Sequence, residues 1–252
     1  MRSRHRPPHS HQVDTGHKGH RADIRSSAHR PRGVHATAAA ALALGLAACG
    51  GGGAEEQGSA EELHEAQILQ FQDVTQVADG GEAGTYSELS TVQYSAEIRD
   101  ATELDKPECV DATNRWSGLD TVQEAPTSVA NYEWEEGAVS SMLVQMGPEE
   151  ASDALAEEPP AECGQYTATY EDGTSSDYNI GDLDVQDLGD ESRAHTIEVD
   201  SEGQASTMLS LLYRNGDVLG TTTVMGEGDL ADYEDMLVGF TEAAVERQNQ
   251  TL

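Results

Sequence analysis

TMLSLLYRNGDVLGTTTVM, Thr207 to Met225, is the stretch from which the fold can be read. Thr207 to Tyr213 and Val218 to Met225 both read as strands. Between them stands Arg214-Asn215-Gly216-Asp217. Tight hairpin turns need positive φ, which Gly and Asn accept most easily, so this tetrapeptide predicts an antiparallel pair. Just beyond it, Leu230, Tyr233, Leu237, Phe240 and Ala244 recur at helical spacing, which predicts an amphipathic helix lying on the sheet. Asp229 is its expected N-cap.

Moving upstream, Thr196 to Val199 reads as a further strand. Leu183 and Val185 alternate with Asp182 and Asp184, as in a strand with one wet face. Tyr166, Ala168 and Tyr170 share a face of another, which Glu171-Asp172-Gly173 closes. Pro148 opens a short helix through Ala151 and Ala154 that ends at Pro159-Pro160. Asn131 to Met146 carries two short runs around Glu135-Glu136-Gly137, a hairpin. Pro107 suits the first turn of a helix presenting Cys109, Ala112 and Trp116 on one side. Tyr86 to Arg99 alternates weakly and reads as a strand, with Asp79-Gly80-Gly81 a turn before it. Ala60 to Gln70 reads as a short helix, with Ser59 and Glu62 spaced as a capping box. The class is α+β.

The front of the chain is different in kind. Ala38 to Ala48 is an apolar run of the length of a secretory h-region, too short to span a bilayer. It ends in Leu46-Ala47-Ala48-Cys49, followed by a glycine tract. This is similar to the lipobox of bacterial lipoproteins, which implies that Leu46, Ala47 and Ala48 are read by the signal peptidase. Cys49 then becomes the acylated first residue. Two or three acyl chains anchor stably, where one is marginal. Residues 1–48 are thus expected to be a discarded signal peptide with a long basic n-region, and the true translation start is expected downstream, near Val34. Residues 49–60 are the expected flexible tether, and residues 61–252 a single extracytoplasmic domain.

Charge divides at the same place. Residues 1–48 hold 8 basic and 2 acidic residues and 7 of the 9 histidines. Residues 49–252 hold 6 basic and 45 acidic residues, a net −39, with Lys106 their only lysine. Phosphate backbones would be repelled, which argues against nucleic acid. Such a surface resembles that of proteins from salt-tolerant bacteria, where screening relieves self-repulsion. An acidic secreted protein of ordinary habitat is the alternative.

With Cys49 acylated, Cys109 and Cys163 remain. In an oxidising compartment two cysteines allow one pairing, Cys109–Cys163. The bridge would close a 54-residue loop, stabilising by roughly 4 kcal/mol in the chain-entropy model.

Taken together, the lipobox, Pro107-Glu108-Cys109, Ala151, Cys163, Gly189-Asp190-Glu191-Ser192 and Arg214-Asn215-Gly216-Asp217 resemble actinobacterial envelope lipoproteins. More loosely, they are similar to the extracellular sensor-like domain of a mycobacterial serine/threonine kinase. The resemblance runs from about Leu63 to Gln248. It implies an antiparallel sheet with helices packed on one side, a Cys–Cys bridge and a groove proposed to bind a ligand.

Signs of catalysis are sparse. There is no Gly-x-Ser-x-Gly elbow, and His64 and His195 are the histidines left after cleavage. His64-Glu65 is followed by Ile68 where a zincin helix needs a second His. Asp182 to Glu191 is oxygen-rich, but Asp187 and Arg193 fill the EF-hand places that require Gly and Glu. No catalytic residue, metal or cofactor is expected. The expected partners are the bilayer, through acylated Cys49, and a small ligand, lipid or envelope protein. A hydrolase using a carboxylate pair and a ligand-free structural lipoprotein are the alternatives.

Overall fold

A computed structural model describes residues 52–135, 137–226 and 230–252, with side chains from Ser59 onward. Leu46, Ala47, Ala48 and Cys49 lie outside the described residues, as do Glu136 and Asp229. In chain order the elements are α1 (Gly52–Glu65), β1 (Gln70–Phe71), β2 (Val74–Thr85), α2 (Ser90–Asp100), β3 (Glu103–Leu104), α3 (Asp120–Gln123), β4 (Pro126–Trp134) and β5 (Gly137–Gln145). Then follow α4 (Pro148–Leu155), β6 (Gln165–Thr169), β7 (Ser175–Leu183), β8 (Glu191–Ser201), β9 (Gln204–Asn215), β10 (Val218–Gly226) and α5 (Leu230–Thr251).

The strands make a ten-stranded antiparallel sheet in the order β1-β2-β4-β5-β10-β9-β8-β7-β6-β3. The expected hairpin is its centre. Asn215 pairs with Val218, so the loop is Gly216-Asp217, and Gly216 takes φ 63°. A glycine at the first loop position suits the turn whose twist matches the strands. Arg214 braces the turn. Its Nη1 reaches Asp190 Oδ2 at 2.9 Å, its Nη2 reaches Glu191 Oε1 at 2.9 Å, and the Gly216 amide donates to Asp190 Oδ2 at 2.8 Å.

Alternation along the strands divides two cores. On one face Leu209, Leu211 and Tyr213 meet Leu63 of α1 and Leu237 and Phe240 of α5. Phe240 stands edge-on to Tyr132, with ring centroids 4.9 Å apart. On the other face Val144, Leu212 and Leu219 meet Trp116, Ala151 and Ala154. The two long helices therefore share one side, as expected. The opposite side carries short elements, and these shape the candidate site. Cys109 and Cys163 are fully buried and joined, with Cα atoms 5.2 Å apart.

Four local expectations are corrected. Tyr86 to Arg99 is not a strand but a 3-10 turn followed by α2. No residue of α2 is buried, so no apolar stripe marks its helical period. Asp79-Gly80-Gly81 does not end a strand. It is a bulge inside β2, where Asp79 takes φ 61° and the register with β4 shifts between Gln76 and Gly81. The Asn131 amide holds the bulge by donating to Gly80 O at 3.1 Å. Pro107 to Trp116 is two 3-10 turns rather than one helix, because Asp111 between them takes φ 59°. Cys109, Ala112 and Trp116 are nonetheless all buried. At the N-terminal end, α1 starts before the expected Ala60 and stops at Glu65 rather than Gln70.

Candidate functional site

A groove of about 460 Å³ lies between the face of the sheet opposite α5 and a roof formed by α2 and residues 109–117. Thr91, Val92, Ser95, Ile98, Arg99 and, just past the helix, Thr102 line it from the roof. Their spacing of three and four residues is one stripe of a helix. The stripe is not an apolar one, however: three of the six are Ser or Thr and read as solvent-facing. The sheet contributes Met142 and Thr221, which are cross-strand partners, and Tyr166, Ala168 and Tyr178.

The roof is held at its two ends. Glu82 of β2 caps the start of α2: its carboxylate accepts from the amides of Ser90 (2.6 Å) and Thr91 (3.1 Å) and from the Thr91 hydroxyl. A carboxylate here satisfies amides that have no partner within the helix and meets the positive end of its dipole. At the far end Arg99 Nη1 and Asp111 Oδ1 are 2.5 Å apart, both side chains about a third exposed. The positive φ of Asp111 is a conformation that Asp and Asn accept more readily than other residues with side chains.

Aromatic rings crowd the groove. Tyr86 and Trp116 stand edge-on, with centroids 6.0 Å apart. Tyr166 and Tyr178 stack at 4.9 Å with an interplanar angle of 4°. The hydroxyls of Tyr170 and Tyr178 are 2.9 Å apart. Burial raises the phenol pKa of Tyr86, Tyr166 and Tyr178 above the ordinary value. Cys109 also lines the groove, so the disulfide fixes one wall.

A second cavity, of about 700 Å³, lies near the sheet edge and has charged walls, with Asp105, Lys106, Asp177, Glu198 and Asp200 among its lining. Among the described residues no three His, Cys, Asp or Glu side chains are grouped to hold a metal ion. The two histidines lie in different surroundings. His64 Nδ1 is 3.2 Å from Ser128 Oγ, between α1 and the sheet. His195 stands opposite Ser210 on the sheet face that carries α4. Its pKa is lowered to about 4, first by burial and then by the charge of Arg193, with Asp182 opposing. Neither histidine lines the groove.

The fold is similar to that of the extracellular domain of PknH from Mycobacterium tuberculosis. The two superpose with a TM-score of 0.51 at 10% identity, over 76% of this chain and 96% of that one. An uncharacterized Mycobacterium smegmatis protein, the Rv0999 ortholog, matches with a TM-score of 0.41 at 11% identity, over 74% of this chain and 94% of that one. At such identities the likeness is one of fold, and as such it bears out the looser resemblance, that to the extracellular domain of a mycobacterial kinase. No family model and no curated protein matches this chain.

Proposed function

We propose that this protein is a membrane-anchored, extracytoplasmic lipoprotein whose domain binds a small apolar molecule in the groove under α2. The observation that carries the binding role is the roof itself. α2 buries no residue of its own, yet it turns an aligned stripe toward a half-apolar cavity of ligand size. A helix that gives a core only the partly buried Val92 but lines a cavity along its length is best accounted for by that cavity. Likeness to an extracellular domain and the disulfide both support the location, since such bridges persist outside the cytoplasm. Anchoring rests on Leu46-Ala47-Ala48-Cys49. A carboxylate-pair hydrolase gains nothing from this groove, where Asp111 is the one acidic side chain and is closed onto Arg99.

Two measurements test the reading. The intact mass of protein from its native membrane should correspond to residues 49–252 plus acyl chains, and should rise by two hydrogens on reduction. A mass retaining residues 1–48, or lacking acyl chains, overturns the anchor. The groove is tested with the full chain carrying Cys49→Ser, which removes the attached lipid as a competitor. Diphenylhexatriene should bind saturably and fluoresce. Ser95→Trp, placed on an exposed helix and filling the groove, should abolish that signal. Equal binding by both proteins overturns the groove as the site.

A further inference from the structure

The ligand's charge can be read from the groove, taking as its basis the groove's role as a binding site. The chain has 47 acidic residues in 252, but among the 22 residues lining this groove Asp111 is the only one. Arg99 is the only basic one, and the two are joined to each other. The second cavity shows that this neutrality is not a consequence of overall composition, for its walls carry several carboxylates. The remaining polar atoms in the groove are neutral, chiefly hydroxyls such as Thr91, Ser95, Thr113, Ser117 and Thr221. The tyrosines stay protonated, since burial raises the pKa of Tyr86, Tyr166 and Tyr178.

A charged group taken from water into such a groove would lose hydration and find no free counter-ion. An unpaired charge in a poorly hydrated site is costly, and pairing with Arg99 or Asp111 would first require breaking their bond. Anions also approach against the field of the acidic domain, an effect that salt screens. We infer that the groove selects an uncharged apolar molecule whose polar groups are hydroxyl-like or carbonyl-like, and that the Arg99–Asp111 pair keeps it neutral by closing its two charges on each other.

Diphenylhexatriene and its trimethylammonium and propionate derivatives share one apolar body and differ in charge. Their dissociation constants are to be measured with the full chain carrying Cys49→Ser, at low salt and near 1 M salt. At about 1 M the screening length is about 3 Å, so the long-range field is removed and desolvation remains. The neutral probe should bind at least about tenfold more tightly than either ion at high salt, as expected when a charge is buried without a partner. The propionate should fall further behind at low salt. Opening the pair should then create a preference. Asp111→Asn, which keeps the φ its backbone needs, should raise the relative affinity of the propionate, and Arg99→Gln that of the ammonium. Either ion binding the unaltered groove as tightly as the neutral probe overturns the inference while leaving the site in place. So do unchanged ratios of ion to neutral-probe affinity in two folded variants. If a variant fails to fold by circular dichroism, the comparison in the unaltered groove decides. Absence of saturable binding by all three probes, or binding that survives Ser95→Trp, removes the site itself.

Discussion

Gly220 of β10 lies directly opposite Tyr213 of β9, and the tyrosine ring occupies the space a Gly220 side chain would need. A Cβ built there would stand 2.2 Å from the ring. Tyr213 is fully buried, and its hydroxyl accepts from Gln248 Nε2 of α5 at 2.7 Å. The missing side chain on one strand thus lets the ring lie flat and reach the terminal helix. Gly220→Ala should destabilise the domain by about 1–3 kcal/mol, the usual cost of overpacking a core. Urea denaturation measures it. An unchanged midpoint would mean that the ring has room to move.

Replacing both bridge cysteines, Cys109→Ala with Cys163→Ala, avoids leaving a reactive thiol. The pair closes a 54-residue loop, and its loss should cost about 2–4 kcal/mol. Because Cys109 also lines the groove, affinity for diphenylhexatriene should fall even under conditions where the domain remains folded. Parallel denaturation and binding curves separate the two effects.

The cap on α2 gives a local prediction. Glu82→Ala removes the acceptor for the amides of Ser90 and Thr91, a change worth about 0.5–2 kcal/mol at helix starts. Since α2 buries no residue, global stability should change little. Amide hydrogen exchange at Ser90 and Thr91 should instead quicken, and groove affinity should fall. Loss of global stability equal to the local effect would show that the roof folds as one unit with the sheet.

His195 makes stability depend on pH in a fixed direction. Its pKa is lowered from 6.5 to about 4 in the folded chain. Above pH 6.5 the imidazole is neutral in both states, and its contribution is fully present. Between 6.5 and 4 the unfolded chain binds a proton that the folded chain does not, so stability falls as pH falls, by up to about 3 kcal/mol from this group. Denaturation of the parent and of His195→Gln from pH 7 to pH 4.5 isolates the term, because the carboxylates are common to both. Parallel curves would mean that His195 protonates freely in the fold.

Much of the scaffold was legible in particular residues. Arg214 to Asp217 marked the central hairpin, the stripe from Leu230 to Ala244 marked the last helix, and Cys109 and Cys163 had one pairing available to them. Each signal is local or comes from counting. The groove was not legible in this way. Its roof reads as a strand because Val92, Tyr94, Ala96 and Ile98 alternate, while the residues that face the cavity include Thr91, Ser95 and Thr102. A helix that buries nothing leaves no hydrophobic period to detect.

The amino-acid sequence by itself determined the secondary structure of the best-marked elements and the pairing of Cys109 with Cys163, because each follows from neighbouring residues or from composition. Only the tertiary structure decided which carboxylates matter. It brings Asp111 onto Arg99 from twelve positions away, sets the roof over Met142, Tyr178 and Thr221, and leaves Asp105, Asp177 and Asp200 around another cavity. Among so many similar acidic side chains, spacing along the chain carries no information about which one meets a partner. That depends on the register of the sheet and the positive φ of Asp111, which are settled when the two faces of the sheet are packed.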